Sequence, residues 1–166
     1  PLSIGLGILW LVAMVLVAIF ADLLRPYGIT AMDLSNRLAA PGNVKHWLGT
    51  DELGRDVLAR LIQSIRVSLV IAFSATILSA VFGTVLGFAA AKFRGWVEHL
   101  VLVLADFQAA LPFLIMSLAV LAFFGSSMLL IVCLMGFYGW ERYARIARGL
   151  AISASAQGYA SAVVQL

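Results

Sequence analysis

The chain has 166 residues, of which 63% are hydrophobic and only 11% charged, and its mean hydropathy is +1.06. Soluble domains are nearer half apolar and a quarter charged, so this composition excludes an ordinary water-soluble domain and describes an integral membrane protein, solvated largely by lipid. The net charge of +3 does not point to nucleic acid, because the basic residues stand at the ends of apolar runs, where membrane topology accounts for them. The single Cys133 lies within an apolar run, cannot form an internal disulfide and reads as a small buried hydrophobe.

Leu2 to Ala21 carries no charge and is long enough for a hydrocarbon core of about 30 Å, which predicts a first transmembrane helix over 2-21. No small-residue cleavage site follows, so the run reads as a retained span and not a signal peptide. Asp22, Arg25 and Pro26 end it. Residues 22-66 are polar and turn-rich and predict an extramembrane loop. Within it Leu53, Val57, Leu58, Leu61, Ile62 and Ile65 recur at helical spacing opposite Arg55, Asp56, Arg60 and Gln63. This predicts a separate amphipathic interfacial helix over 53-65, N-capped by Thr50 or Asp51.

A second uncharged run gives a second transmembrane helix over 67-91. It carries two stripes of small residues, Ala75, Ser79, Gly83, Gly87 and Ala91 beside Ser68, Ala72, Thr76, Ala80 and Thr84. Small residues at four-residue spacing let another helix approach closely, so Ala75, Ser79, Gly83 and Gly87 are candidate packing residues. After the basic turn Lys92 to Trp96, a third span is expected over 97-124. Asp106 within it is costly at depth; it either lines a translocation route or pairs with a neighbouring helix near the span's end. Pro112 frees a carbonyl and permits a kink. Gly125, Ser126 and Ser127 separate a fourth span, which starts at Met128, leaves the membrane near the aromatic Tyr138 and Trp140, and continues through Arg142, Arg145 and Arg148 as a helix over 128-148. Lys92, Arg94 and these three arginines fall on one side if four spans alternate, and that side is expected to be cytoplasmic, with the 22-66 loop outside.

Residues 155-166 predict a short helix of small residues, too polar to span, with Gln157, Ser161 and Gln165 at four-residue spacing. Two readings stand at this point, a cytoplasmic handle gripped by another protein and an interfacial surface helix. The chain starts at Pro1 without an initiator methionine and stops in mid-helix, so a fragment is expected.

Chemistry is sparse. His46 and His99 are far apart and read as solvent-facing or interfacial, which argues against a haem or metal site. No phosphate loop and no strand pattern occurs. Asp51, Glu52 and Asp56 could bind a cation, but ion pairs with Arg55 and Arg60 compete.

The string His46-Trp47-Leu48-Gly49-Thr50-Asp51-Glu52-Leu53-Gly54-Arg55-Asp56-Val57-Leu58-Ala59-Arg60, with Arg66-Val67-Ser68-Leu69, Gly95-Trp96-Val97, Asp106 with Pro112, and Gly139-Trp140 with Arg142-Tyr143-Ala144-Arg145 and Arg148, resembles one family over about residues 46-166. That family is the C-type transmembrane permease subunits of bacterial ABC importers for dipeptides, oligopeptides and nickel. The resemblance implies an all-α integral membrane fold, the helical bundle of a type I ABC importer transmembrane domain, with about four of six spans present. It implies that Tyr159, Ala160, Ser161, Ala162, Val163 and Leu166 begin the coupling helix of the so-called EAA motif and dock on an ATPase subunit; Ser161 stands where the motif often has Glu, and Val163 where it often has its second Ala. It also implies a paired B-type permease, two ATP-binding subunits, an extracytoplasmic solute-binding protein and surrounding membrane lipid as partners, and a multi-pass place in the bacterial plasma (inner) membrane. ATP and Mg would be held by the partner subunits, with no cofactor, metal site or catalytic residue in this chain. Short peptides are the expected solute and nickel chelates or other small solutes the alternative. A stand-alone channel or scaffold is the reading from another class, and a membrane electron carrier lacks axial ligands.

Overall fold

The computed structural model describes residues 2-155. The described chain is all-helical, with one isolated β-bridge between Thr50 and Asp56, and divides into two compact units, Pro1–Val70 and Ile71–Leu166.

In the first unit, α1 (Leu2–Ile19) is apolar throughout. Its side chains are exposed over most of its length, Leu9 and Trp10 among them, and only partly covered toward its end, as suits a helix solvated by lipid. Phe20 leaves helical geometry, and the one-turn α2 (Ala21–Leu24) ends at Arg25, whose extended backbone (ψ 126°) is the conformation a following proline imposes. The loop then folds on its own hydrogen bonds, with a 3-10 turn at Leu34–Asn36, until α3 begins at Val57.

Three expectations for this region are corrected. Helix does not start at Leu53, because Gly54 sits at φ +72° in a turn. The cap is neither Thr50 nor Asp51 but Asp56, whose Oδ1 accepts the Ala59 N–H at 2.7 Å. And no break separates an interfacial helix 53-65 from a span 67-91: α3 runs unbroken from Val57 to Phe93 over 37 residues, about 55 Å at 1.5 Å per residue. Nothing between Ile65 and Val67 can stop a helix; Arg66 changes polarity and leaves propensity intact.

In the second unit, the rest of α3 is followed by α4 (Gly95–Ala110), α5 (Phe113–Phe124) and α6 (Met128–Ser155). The expected continuous helix over 97-124 is also corrected, since α4 and α5 are two helices bent by 85°. Pro112 forces Leu111 to extended backbone (ψ 131°), so the helix stops there instead of kinking. Gly125 (φ +77°) ends α5. Ser127 Oγ accepts the Leu130 N–H at 3.2 Å and starts α6.

The core here sets small residues around one tryptophan. Ala90, Val101, Ala105, Trp140 and Ala144 cluster from α3, α4 and α6. Trp140 is 6% exposed and packs edge-on to Phe82 at 5.8 Å. It is a packing residue and not the interfacial anchor its place before the arginines suggests. Among the described helices, α3 alone is long and apolar enough to cross a membrane by itself, and α4 with α5 pass only as a bent pair.

Candidate functional site

Two constructions stand out, one in each unit. In the first, the loop signature is a knot of side-chain hydrogen bonds around Asp51. Its Oδ1 accepts the N–H groups of Leu53 and Arg55, both at 2.9 Å, and its Oδ2 accepts from Arg55 Nε at 2.8 Å and from an Arg60 guanidinium nitrogen at 2.6 Å. The Arg55 amide, with the other donors behind it, holds the carboxyl down to about 2 from an ordinary 3.8. Thr50 Oγ1 donates to Asn36 O and accepts from Ala39 N. Gly49 and Gly54 both sit at positive φ, and a Cβ on either would collide with a backbone carbonyl, that of Ala39 or of Asp33.

His46, expected at a surface, is only 4% exposed. Its Nδ1 lies 2.8 Å from Oδ2 of Asp56, and the Tyr27 ring covers it at 4.8 Å. The loop is thereby tied to the residue that caps α3. No group of three metal-ligating side chains occurs among the described residues, and the arginines hold Asp51. His99 is exposed.

In the second unit the packing candidates fall on one seam. Ala75, Ser79, Gly83 and Gly87 are all buried, whereas Ser68, Ala72 and Thr76 of the adjoining stripe are exposed. Ser79 Oγ donates to Gly136 O at 2.7 Å. A Cβ on Gly83 would strike the Trp140 carbonyl and come within 2.8 Å of Tyr143 Cβ; one on Gly87 would strike the Ala144 carbonyl and Ala147. The seam continues at Ala90, fully buried, and not at half-buried Ala91. A four-residue step overshoots a 3.6-residue turn, so the stripe drifts off the contact until a three-residue step restores it.

Asp106 lies on α4, one residue from the buried Ala105, and pairs with Arg145 at 2.8 Å, both side chains about half exposed or more. Arg148 reaches Glu98 with two nitrogens, Nε at 2.8 Å. Gln108, which no sequence pattern singled out, joins α4 to α6: Nε2 donates to the carbonyls of Phe137 and Tyr138 (2.6 and 2.8 Å), and Oε1 accepts from Trp140 Nε1 at 2.6 Å. Tyr138 in turn donates to Leu111 O at 3.2 Å, beside the break at Pro112. A lone amide in an apolar run was the available signal. Tyr159, Ala160, Ser161, Ala162, Val163 and Leu166 lie outside the described residues.

Residues 83–164, which take in the glycine seam, the broken α4–α5 pair and α6, match the family described as "Binding-protein-dependent transport system inner membrane component". The chain belongs to this family of inner-membrane permease components. The permease is 34% identical over 122 residues to the dipeptide transport system permease protein DppC of Alkalihalophilus pseudofirmus, covering 74% of this chain and 40% of that one. It is 32% identical to the glutathione transport system permease protein GsiD of Pectobacterium atrosepticum, with 87% and 47% covered, and 32% identical to the nickel transport system permease protein NikC of Escherichia coli, with 91% and 54% covered. The chain thus spans about half the length of these curated relatives.

Proposed function

We propose that this chain is one of two permease subunits in an ATP-driven importer and forms part of the membrane path for short peptides. The observation that carries the reading is α6. One unbroken helix runs from an apolar stretch into Arg142, Arg145 and Arg148; two of these arginines are tied to α4, and its middle is seated on Gly83 and Gly87. A helix braced this way moves as a rigid lever. Residues Tyr159 to Leu166, a few positions later in the sequence, are the handle that a cytoplasmic ATPase subunit grips, and the partner subunits supply nucleotide hydrolysis.

In this reading α1, α3, the α4–α5 pair and α6 make four crossings of the bacterial inner membrane. Lys92, Arg94 and the α6 arginines are cytoplasmic, and the loop closed around Asp51 is outside, where a solute-binding protein delivers cargo. A B-type permease completes the path, and Asp106 and Pro112 lie along it. Closure of the ATPase pair shifts the handle, and the seam passes that shift to α3 as a change between two states. Nickel is the second reading for the solute, since the nickel relative is covered as fully as the others.

The full transporter, purified in detergent from its native membrane, is expected to retain a nucleotide-hydrolysing subunit and, in proteoliposomes with its binding protein, to take up dialanine only with ATP. A permease isolated without such a subunit, and vesicles leaky to dialanine without ATP, overturn the importer reading in favour of a stand-alone channel.

A further inference from the structure

The second unit holds three carboxylates, Glu98, Asp106 and Glu141, and they are not treated alike. Arg148 takes Glu98 and Arg145 takes Asp106. Glu141 is left over. Its side chain is only 14% exposed, and its one charged neighbour, Arg142, approaches Oε1 no closer than 3.8 Å while remaining 82% exposed itself. That separation is outside hydrogen-bond range. Its Oε2 is buried without any hydrogen-bond partner, the one side-chain atom so placed among the described residues. A carboxylate oxygen removed from water and left unpaired is costly, and the cost is relieved by a cation or a strong donor.

Glu141 opens on a cavity of about 580 Å³, walled by the small side chains Ala72 and Thr76 on α3 and by Tyr138, Tyr143 and Arg142 on α6. Small-ligand sites have volumes of roughly 300–1,000 Å³. One carboxylate in a cavity that two tyrosines also line suits an organic ammonium, which is attracted by negative charge and by aromatic rings. It suits a bare metal ion poorly, since such an ion needs several ligands, and no cluster of three ligating side chains lies nearby among the described residues.

Resting on the permease reading above, we infer that Glu141 is a docking point on the translocation path for the ammonium group of a short peptide. The ammonium pairs with the Glu141 carboxylate, and Arg142 at the rim faces the peptide's carboxylate.

The assembled transporter in proteoliposomes, with its binding protein, provides the test. Glu141→Gln keeps the volume and removes the charge. It is expected to raise the KM for dialanine uptake about tenfold, the scale of one hydrogen bond to a charged group, with the maximal rate retained. An unchanged KM overturns the inference. A second measurement does not depend on that variant's assembly. In a Cys133→Ala/Thr76→Cys transporter, which keeps Glu141 and puts the reporter on the wall of the same cavity, labelling by 2-aminoethyl methanethiosulfonate is expected to be slowed by dialanine and not by N-acetyl-dialanine. No labelling in the assembled complex shows that another helix fills the cavity and overturns the inference. Equal slowing by both peptides, or slowing by nickel chloride alone, overturns the ammonium contact. If the wild-type transporter takes up no peptide at all, the permease reading for peptides falls; if it does, and Glu141→Gln matches it, only the docking point falls.

Discussion

Asp51 accepts hydrogen bonds from two backbone amides and two arginines, and the consequence is a pH dependence with a definite sign. Its folded carboxyl sits at about 2, against 3.8 ordinarily. The bonds therefore favour folding at every pH above the ordinary value, and that contribution is lost as pH falls from about 4 toward 2. Asp22, held by Arg66, and Asp33, held by Asn36, are lowered as well, so they lose stability in the same direction. Protection of the Leu53 and Arg55 amides, taken relative to the intrinsic exchange rate at each pH, is expected to fall below pH 4. Asp51→Asn should be weakly protected throughout, with the acid-dependent loss abolished; an acid profile in Asp51→Asn like that of the wild type would refute the assignment. The acids and arginines of this loop, and the competition of Arg55 and Arg60 for Asp51, were legible in the sequence. The burial of His46 against Asp56 was not, because a lone histidine in a polar stretch carries no sign of the Tyr27 ring that closes over it.

At the scale of helices, periodicity identified which residues are small and left open which stripe is used. Ser79, Gly83 and Gly87 pack directly on α6 and the adjoining stripe does not, a choice made by the partner's shape: Trp140 and Ala144 present backbone, and Tyr143 its Cβ, that only glycine can approach. Gly83→Leu and Gly87→Leu are expected to abolish uptake or assembly, and Gly83→Ala to cost about 1–3 kcal/mol of stability, because the obstacle is a carbonyl and not a movable side-chain tip. Detergent thermal unfolding and vesicle uptake measure both; full uptake by the double leucine variant contradicts the packing role. Helix ends were harder to read than helix faces. Leu53 continues the apolar spacing of α3 yet lies in a turn held by Gly54 and Asp51, and Pro112 produces an 85° break where sequence suggests a kink, because Tyr138 of α6 donates to the Leu111 carbonyl at the break.

For the whole molecule, the proposal makes α6 the route from an internal motor to the membrane path. A cysteine in place of Ser161 is expected to cross-link to an ATPase subunit in the intact complex and to react with reagents added from the cytoplasmic side. Reaction from outside, or free reaction with no cross-link, contradicts the coupling role. Composition alone determined that this chain lives in a membrane, since lipid tolerates apolar surface on every side of a helix such as α1 and water does not. The string from His46 to Arg60 and the arginines after Trp140 determined the family, because they are specific residues in a specific order. Only the tertiary structure decided which carboxylates are neutralised. Arg148 finds Glu98 and Arg145 finds Asp106 across 50 and 39 residues, while Glu141, next in sequence to an arginine, keeps a buried oxygen unpaired. Pairing depends on where side chains meet in space, and charge order along a chain does not encode it.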